Sequence, residues 1–82
     1  MRFRFRHDPE SGALYVRFRE GKIAETLEMG PGAYLDIDHD GNVVGAEFLS
    51  LEEFGEFVDA RGGTFDPPDH IEDPGTFHLN PA

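Results

Sequence analysis

Four acidic residues around one turn have the spacing of a calcium-binding loop. Asp36, Asp38 and Asp40 alternate with single residues, Gly41 follows, and Glu47 stands eleven residues after Asp36. An EF-hand loop has this order, because carboxylates on a tight turn surround a hard cation. It also needs a helix on each side, whereas both flanks here alternate apolar and polar residues as strands do. We predict a β-hairpin with an Asp-Gly turn, and keep cation binding as an alternative.

Arginines form the second candidate group, because they recur on one side of two alternating segments. If Phe5 lies opposite Val16 in a hairpin, then Arg4 lies opposite Arg17, and Arg2 lies opposite Arg19. Like charges that face each other across two strands destabilise a sheet, so something should compensate for them. Three sources of compensation are open: acids of another subunit, phosphate, or acids on the later hairpin of the same sheet (Asp36, Asp38 and Glu47).

Tyrosine and arginine are enriched at protein interfaces. Both residue types occur on the predicted polar face of the sheet. They define a set of interface candidates: Arg4, Arg17, Arg19, Tyr15 and Tyr34.

The remaining polar residues do not form a recognisable catalytic site. The four histidines lack the i, i+4 spacing of a helical metal site, and none stands beside a plausible nucleophile. Ser50 has the position of a helix cap and Ser11 that of a turn residue, so a Ser-His-Asp triad is not supported. The sequence therefore indicates no catalytic residue and no cofactor, and favours a binding protein over an enzyme.

Two alternating segments near the N-terminus predict a β-hairpin. Residues 2–6 and 14–19 place apolar and charged side chains on opposite faces, because side chains alternate along a strand. The segment from Asp8 to Gly12 contains Pro and Gly and predicts the turn. The expected inward side chains are Phe3, Phe5, Leu14, Val16 and Phe18.

Three more strands and one helix follow. Residues 23–28 predict an edge or bulged strand, because Glu25 shares a face with Ile23 and Leu27. Residues 33–38 and 43–49 predict a hairpin in which Leu35 lies opposite Ala46 and Ile37 lies opposite Val44. The helix should span residues 51–60, from a capping box at Ser50 to a stop at Gly62. Its apolar stripe consists of Leu51, Phe54, Phe57 and Val58.

These elements predict an α+β fold. We expect an antiparallel β-meander of about five strands, with one C-terminal amphipathic helix on one face and an extended Pro-rich tail. The domain should comprise residues 1–63, and residues 64–82, which contain four prolines, should form the irregular tail.

Composition and charge limit the function. The chain has 82 residues, no cysteine and a formal net charge of −10. Residues 1–22 carry six of the seven basic residues against three acids, whereas residues 23–82 carry one basic residue against fourteen acids. The acidic whole disfavours nucleic-acid binding, which depends on neutralising phosphates. The chain shows neither a membrane-spanning run nor a signal segment, so we expect a cytoplasmic protein.

Several short motifs, taken in order, resemble a known family. They are Asp8-Pro9-Glu10, residues 13–18 (ALYVRF), residues 24–26 (AET), Gly30-Pro31-Gly32, residues 35–38 (LDID) with Asp40-Gly41, and residues 44–49 (VGAEFL). This order is similar to the YuzE-like family of small bacterial proteins, a domain of unknown function (DUF2283-like). The resemblance covers about residues 3–50 and implies a β-meander module of bacterial origin, with no functional residues to transfer.

The sequence leaves the molecular function unknown. We expect a small protein-binding or regulatory module, homodimeric, that acts through its sheet face or edge strand. An antitoxin-like role toward a basic protein partner would suit the acidic surface. The alternatives are a small enzyme or ligand-binding protein with a site between tail and sheet, and cation binding at Asp36, Asp38, Asp40 and Glu47.

Overall fold

Five short strands and one helix make up most of the fold. The computed structural model describes residues 3–77. The strands are β1 Arg4–His7, β2 Leu14–Arg17, β3 Glu25–Gly30, β4 Ala33–Ile37 and β5 Val43–Phe48. The helix α1 spans Leu51–Asp59, and a short 3₁₀ helix spans Pro74–Thr76. The predicted α+β class, with five antiparallel strands and one C-terminal helix, is confirmed.

The order of strands in the sheet is β1-β2-β5-β4-β3, with every neighbouring pair antiparallel. It differs from a simple meander in one respect, because β5 lies between β2 and β4. Five of the six residues of β5 are buried, whereas all four residues of β1 are exposed. The most apolar strand therefore occupies the centre and the most charged one an edge.

The connection from β2 to β3 crosses the sheet and covers part of it. Val44 accepts hydrogen bonds through its carbonyl oxygen from the N–H groups of Phe18 (2.8 Å) and Arg19 (3.4 Å). A Cβ added to Gly21 would lie 3.2 Å from the Val44 side chain. Val44 is fully buried but lies outside the main core, against this connection.

The register of the β4–β5 hairpin agrees only in part with the sequence pattern. Leu35 lies opposite Ala46, as predicted. Ile37, however, lies opposite Val43 rather than Val44, because the register shifts between Asp36 and Ile37. This bulge makes Val44 the extra residue, so the predicted pairing of Val44 with Ile37 was wrong, and Val44 lies outside the core cluster.

The helix begins and ends as its sequence predicts. The Ser50 hydroxyl accepts a hydrogen bond from the N–H of Glu53 at 3.0 Å, and the Gly63 N–H closes the other end on the Val58 carbonyl. Phe57 is the buried residue of α1, whereas Leu51, predicted in the apolar stripe, is 53 % exposed. The first turn of the helix therefore lies away from the core.

Aromatic packing joins the helix to the sheet. The Phe48 ring, from β5, contacts the rings of Phe54, Phe57 and Phe65 with centroid distances of 4.9, 5.4 and 5.6 Å. Helix α1 contacts β4 and β5. The aromatic cluster therefore covers the centre of the sheet.

The two N-terminal phenylalanines are exposed, which corrects their predicted place in the core. Phe3 is 50 % exposed and Phe5 is 63 % exposed. Phe5 belongs to the edge strand and Phe3 directly precedes it, whereas the helix packs on β5 and β4, two and three strands away from β1. Alternation placed them on the apolar face, but that face is not covered at β1.

The described part of the proline-rich segment packs on the sheet. Phe65 joins the aromatic cluster, and Ile71 is buried. The Val43 N–H donates to the Asp69 carbonyl (2.9 Å), and the Ile71 N–H donates to the Gly41 carbonyl (2.8 Å). Residues 64–77 thus follow the end of the β4–β5 hairpin, and residues 78–82 lie outside the described residues, as does Arg2.

Candidate functional site

Strand β1 presents different chemistry on its two sides. The register places Arg4 opposite Arg17, Phe5 opposite Val16 and Arg6 opposite Tyr15, so the predicted arginine pair is confirmed. Arg4 and Arg6 lie on the face away from the helix. Phe5 lies on the apolar face, because its partner Val16 is part of the core.

In the described part of the chain, the outer backbone edge of β1 has no strand beside it. Gly12, with φ +82°, donates to the Asp8 carbonyl at 2.7 Å, and the Asp8 N–H donates to the Ala13 carbonyl at 2.9 Å. These bonds form a glycine bulge at a hydrogen-bonded pair. Hydrogen-bonded and non-hydrogen-bonded pairs alternate along an antiparallel ladder. The backbone N–H and C=O groups of Arg4 and Arg6 therefore bond to β2. The N–H and C=O groups of Phe5 and His7 therefore point to the free edge.

An apolar groove lies beside this edge. It has a volume of about 390 Å³, and its lining includes Phe3, Phe5, Phe18, Phe54, Phe65 and Pro67. The Phe3 and Phe18 rings meet edge to face with centroids 5.3 Å apart. The groove lies between residues 65–69 and the sheet, where the sequence predicts an alternative ligand site. Its charged lining residues are Arg19, Asp66 and Asp69.

Acids of the same chain compensate for the arginines. Arg4 forms an ion pair with Glu20, and Arg19 lies 3.9 Å from Asp69. Arg17 also approaches Glu20 (3.9 Å) and donates to the carbonyl of Gly21 (2.7 Å). Compensation within one chain was among the expectations, but Glu20 and Asp69 provide it in place of Asp36, Asp38 and Glu47.

A hydrogen-bonded cluster occupies the centre of the face that carries the arginines. The Tyr15 hydroxyl donates to Asp36 Oδ2 at 2.9 Å, and the Thr26 hydroxyl donates to Asp36 Oδ1 at 2.6 Å. Asp36 is only 7 % exposed, although alternation predicted it to face solvent. Gly45 lies between the strands of Tyr15 and Asp36 and pairs with Asp36. The pKa of Tyr15 is raised above its ordinary value. Burial is the larger cause, and the hydrogen bond to Asp36 is the second.

The predicted interface candidates therefore have unequal roles. Tyr15 and Arg17 are engaged in contacts within the chain, and Tyr34 lies opposite Glu47 on the same face, half-buried. Arg4 is the member that lies on the exposed edge strand. Phe5 and Arg6 belong to the same strand but were not among the predicted interface candidates. Their position in the first alternating segment was a signal that this strand lies at an edge of the sheet.

The acidic turn forms a hairpin rather than a helix–loop–helix unit, as predicted. Asp38 Oδ1 accepts the N–H groups of Asp40 and Asn42, each at 2.9 Å, and Oδ2 accepts the Asn42 amide at 3.2 Å. Burial alone would raise the pKa of Asp38, but these donors outweigh it and hold the pKa below its ordinary value. His70 Nε2 lies 2.8 Å from the Asp40 carbonyl. Within residues 3–77, no three His, Asp or Glu side chains are grouped so as to hold a metal ion.

Comparison with known proteins identifies one family. Residues 4–51 match the model of a family described as a protein of unknown function (DUF2283). No curated protein and no solved structure matches the chain. In the part of the chain that the structure describes, no helix has the length and apolar character that crossing a membrane requires.

Replacing Tyr15 by Phe should change how stability depends on pH. Because the folded-state pKa of Tyr15 is raised, its contribution is present below about pH 10 and is lost as the pH rises above that value. We expect the unfolding free energy of the wild type to fall more steeply above pH 10 than that of Tyr15→Phe. Urea unfolding at several pH values measures this. Tyr34→Phe, on the same face, should follow the wild type. An equal slope in Tyr15→Phe would contradict the assignment.

Calcium should not stabilise the domain. The oxygens of Asp36 and Asp38 already accept hydrogen bonds from groups of the chain, so a cation would have to displace those donors. We expect the same thermal midpoint with millimolar Ca²⁺ as with a chelator. A rise in the midpoint that disappears in Asp38→Asn would instead support the cation alternative.

Proposed function

Because the chain belongs to the DUF2283 family, whose function is unknown, we propose a function from its own surface: it is a protein-binding module that pairs with an extended segment of another protein along β1. This addition of a strand is a common way for a small sheet to recognise a peptide. Bacterial origin and a cytoplasmic location stay predictions of the sequence.

The observation that carries the proposal is the open outer edge of β1. All four residues of the strand are exposed, and the backbone groups of Phe5 and His7 point away from β2. An extended segment placed there would satisfy these groups with its own backbone. It would also cover Phe5, which is the most exposed of the large apolar side chains in the described part of the chain.

A binding role agrees better with the polar face than a catalytic role does. Tyr15 and Thr26 both donate to Asp36, so the buried carboxylate is held between two hydroxyl groups. A tyrosine is protonated at neutral pH even at its ordinary pKa, and the raised pKa of Tyr15 moves it further from the ionised form that a general base needs. The cluster therefore supports a structural role for these three side chains.

A homodimer through β1 is the second candidate, favoured by the exposed phenylalanines. Two copies of β1 paired about a two-fold axis would bury Phe3 and Phe5 of both chains against each other. The same axis brings Arg4 and Arg6 of both copies together on the opposite face. Like charges that meet across strands oppose the pairing.

Site-specific photo-crosslinking tests whether the edge of β1 contacts a partner. A photoreactive phenylalanine analogue at position 5 should crosslink to a second protein chain in the native cell. The same analogue at position 51 is the matched control, because Leu51 is 53 % exposed but lies on the helix. Equal crosslinking from both positions, or none from position 5, would overturn the proposal.

Salt dependence separates the homodimer from a different partner. If two copies pair through β1, added salt screens the arginines from one another and should strengthen the dimer. If instead a different protein binds with acidic side chains beside Arg4 and Arg6, added salt should weaken the complex. Sedimentation at two salt concentrations measures self-association. A dimer that dissociates at high salt would exclude pairing of like-charged β1 strands.

A further inference from the structure

The two sides of β1 impose different requirements on any strand that pairs with it. Side chains of an added strand alternate between the faces of the sheet. Those on one face would lie beside Phe5 and the apolar groove. Those on the other face would lie beside Arg4 and Arg6. The inference drawn from this rests on the proposed function, because it concerns the chemistry of the partner at the same edge.

The apolar side can accept aliphatic side chains. The groove of about 390 Å³ is continuous with the exposed faces of Phe3 and Phe5, and Phe18 and Phe65 lie in its wall. This volume is within the range of ligand sites in proteins, roughly 300–1,000 Å³. Side chains of the added strand on this face would lie over the groove and remove the two phenylalanines from water.

The opposite side favours carboxylates. A surface cavity of about 510 Å³ is lined by Arg4, Arg6, Arg17 and Glu20, together with Phe5 and Tyr15. In this lining three arginines stand against one glutamate, although Arg6 also borders Asp8 and Glu47. Guanidinium groups bind carboxylates in a planar, two-bonded geometry. Arg4 and Arg6 are two residues apart, about 7 Å along a strand. Acids at every second position of a paired strand have the same spacing.

In the free protein, Glu20 forms an ion pair with one of these guanidinium groups, that of Arg4. Its ion pair with Arg4 joins two side chains that are 79 % and 62 % exposed, respectively. Exposed ion pairs contribute little to stability, so a carboxylate of a partner can replace Glu20. Glu20 therefore acts as an internal competitor for the partner's acid.

From these observations we propose that β1 binds an extended segment in which apolar and acidic side chains alternate. The apolar side chains lie over the groove beside Phe5, and the acidic side chains pair with Arg4 and Arg6. The net charge of −10 on the whole chain opposes the approach of nucleic acid to the same arginines. A protein segment carries fewer negative charges than nucleic acid, so the chain repels it less, and it brings its own backbone donors.

Three synthetic peptides test this inference on the full chain. Each alternates valine with one other residue, which is glutamate, glutamine or lysine. We expect the glutamate peptide to bind at least ten times more tightly than the glutamine peptide at low salt, and the lysine peptide not to protect the amides of Phe5 and His7. Titration by NMR gives the dissociation constants. Slower amide exchange at Phe5 and His7 shows that the peptide lies on the edge of β1.

Variants of the protein assign the effect to named side chains. Arg4→Gln with Arg6→Gln should remove the preference for glutamate over glutamine. Glu20→Gln should tighten binding of the glutamate peptide several-fold, because the internal competitor is gone. Lys22→Gln is the matched control, since it removes an exposed basic residue outside β1, and should leave the ratio unchanged. Glu20→Gln and Lys22→Gln keep all β1 residues, so they test the inference even if the double variant unfolds.

The outcomes distinguish this inference from the proposed function. Equal binding of the glutamate and glutamine peptides, with protection of Phe5 and His7, would overturn the acidic preference but keep pairing along β1. Tight binding of the glutamate peptide without protection of those amides would overturn the inference, because the acids would then bind elsewhere. Absence of binding by all three peptides would also overturn it, whereas the crosslink from position 5 tests the proposed function by itself.

Discussion

The absence of a side chain at Gly45 is the constraint on which the sheet depends. A Cβ at this position would lie 2.4 Å from the Tyr15 hydroxyl oxygen and 2.8 Å from the Val16 carbonyl oxygen. Because the space is free, the phenol of Tyr15 crosses the central strand and reaches Asp36 two strands away. Asp36 also holds Thr26, so one carboxylate joins β2, β4 and β3 across β5.

The same arrangement leaves β1 outside the stabilised part of the sheet. The Tyr15–Asp36–Thr26 cluster and the helix act on the other four strands, whereas β1 pairs, among the strands that the structure describes, with β2 alone. Its apolar face receives no cover from the helix, and within residues 3–77 no strand lies beside its outer backbone groups. The exposed edge thus follows from how the rest of the chain buries its side chains, and it leaves Phe5 exposed.

The sequence predicted local structure well and the arrangement of strands poorly. The strands, the Asp-Gly turn and the Ser50 cap depend on neighbouring residues, and the structure confirms them. Alternation states which face a side chain takes but not which strand lies next to it. Phe5 was therefore placed in the core and Asp36 in solvent, and the structure shows the reverse. Both errors have one origin, since burial of each residue is decided by elements distant in the sequence.

The charge and the regularity of the two edges both bear on the proposal that a partner strand pairs with β1 rather than with β3. β3 carries Glu25 and Glu28, so pairing of its edge with β1 of another copy would be favourable electrostatically and would extend without closing. A register shift between Glu28 and Gly30 interrupts the β3 ladder, and such bulges blunt an edge. β1 pairs with β2 in an unbroken register from Arg4 to His7. In the proposed pairing its arginines would oppose a second β1 but not an acidic strand, whereas the irregular edge of β3 offers a poorer ladder to either.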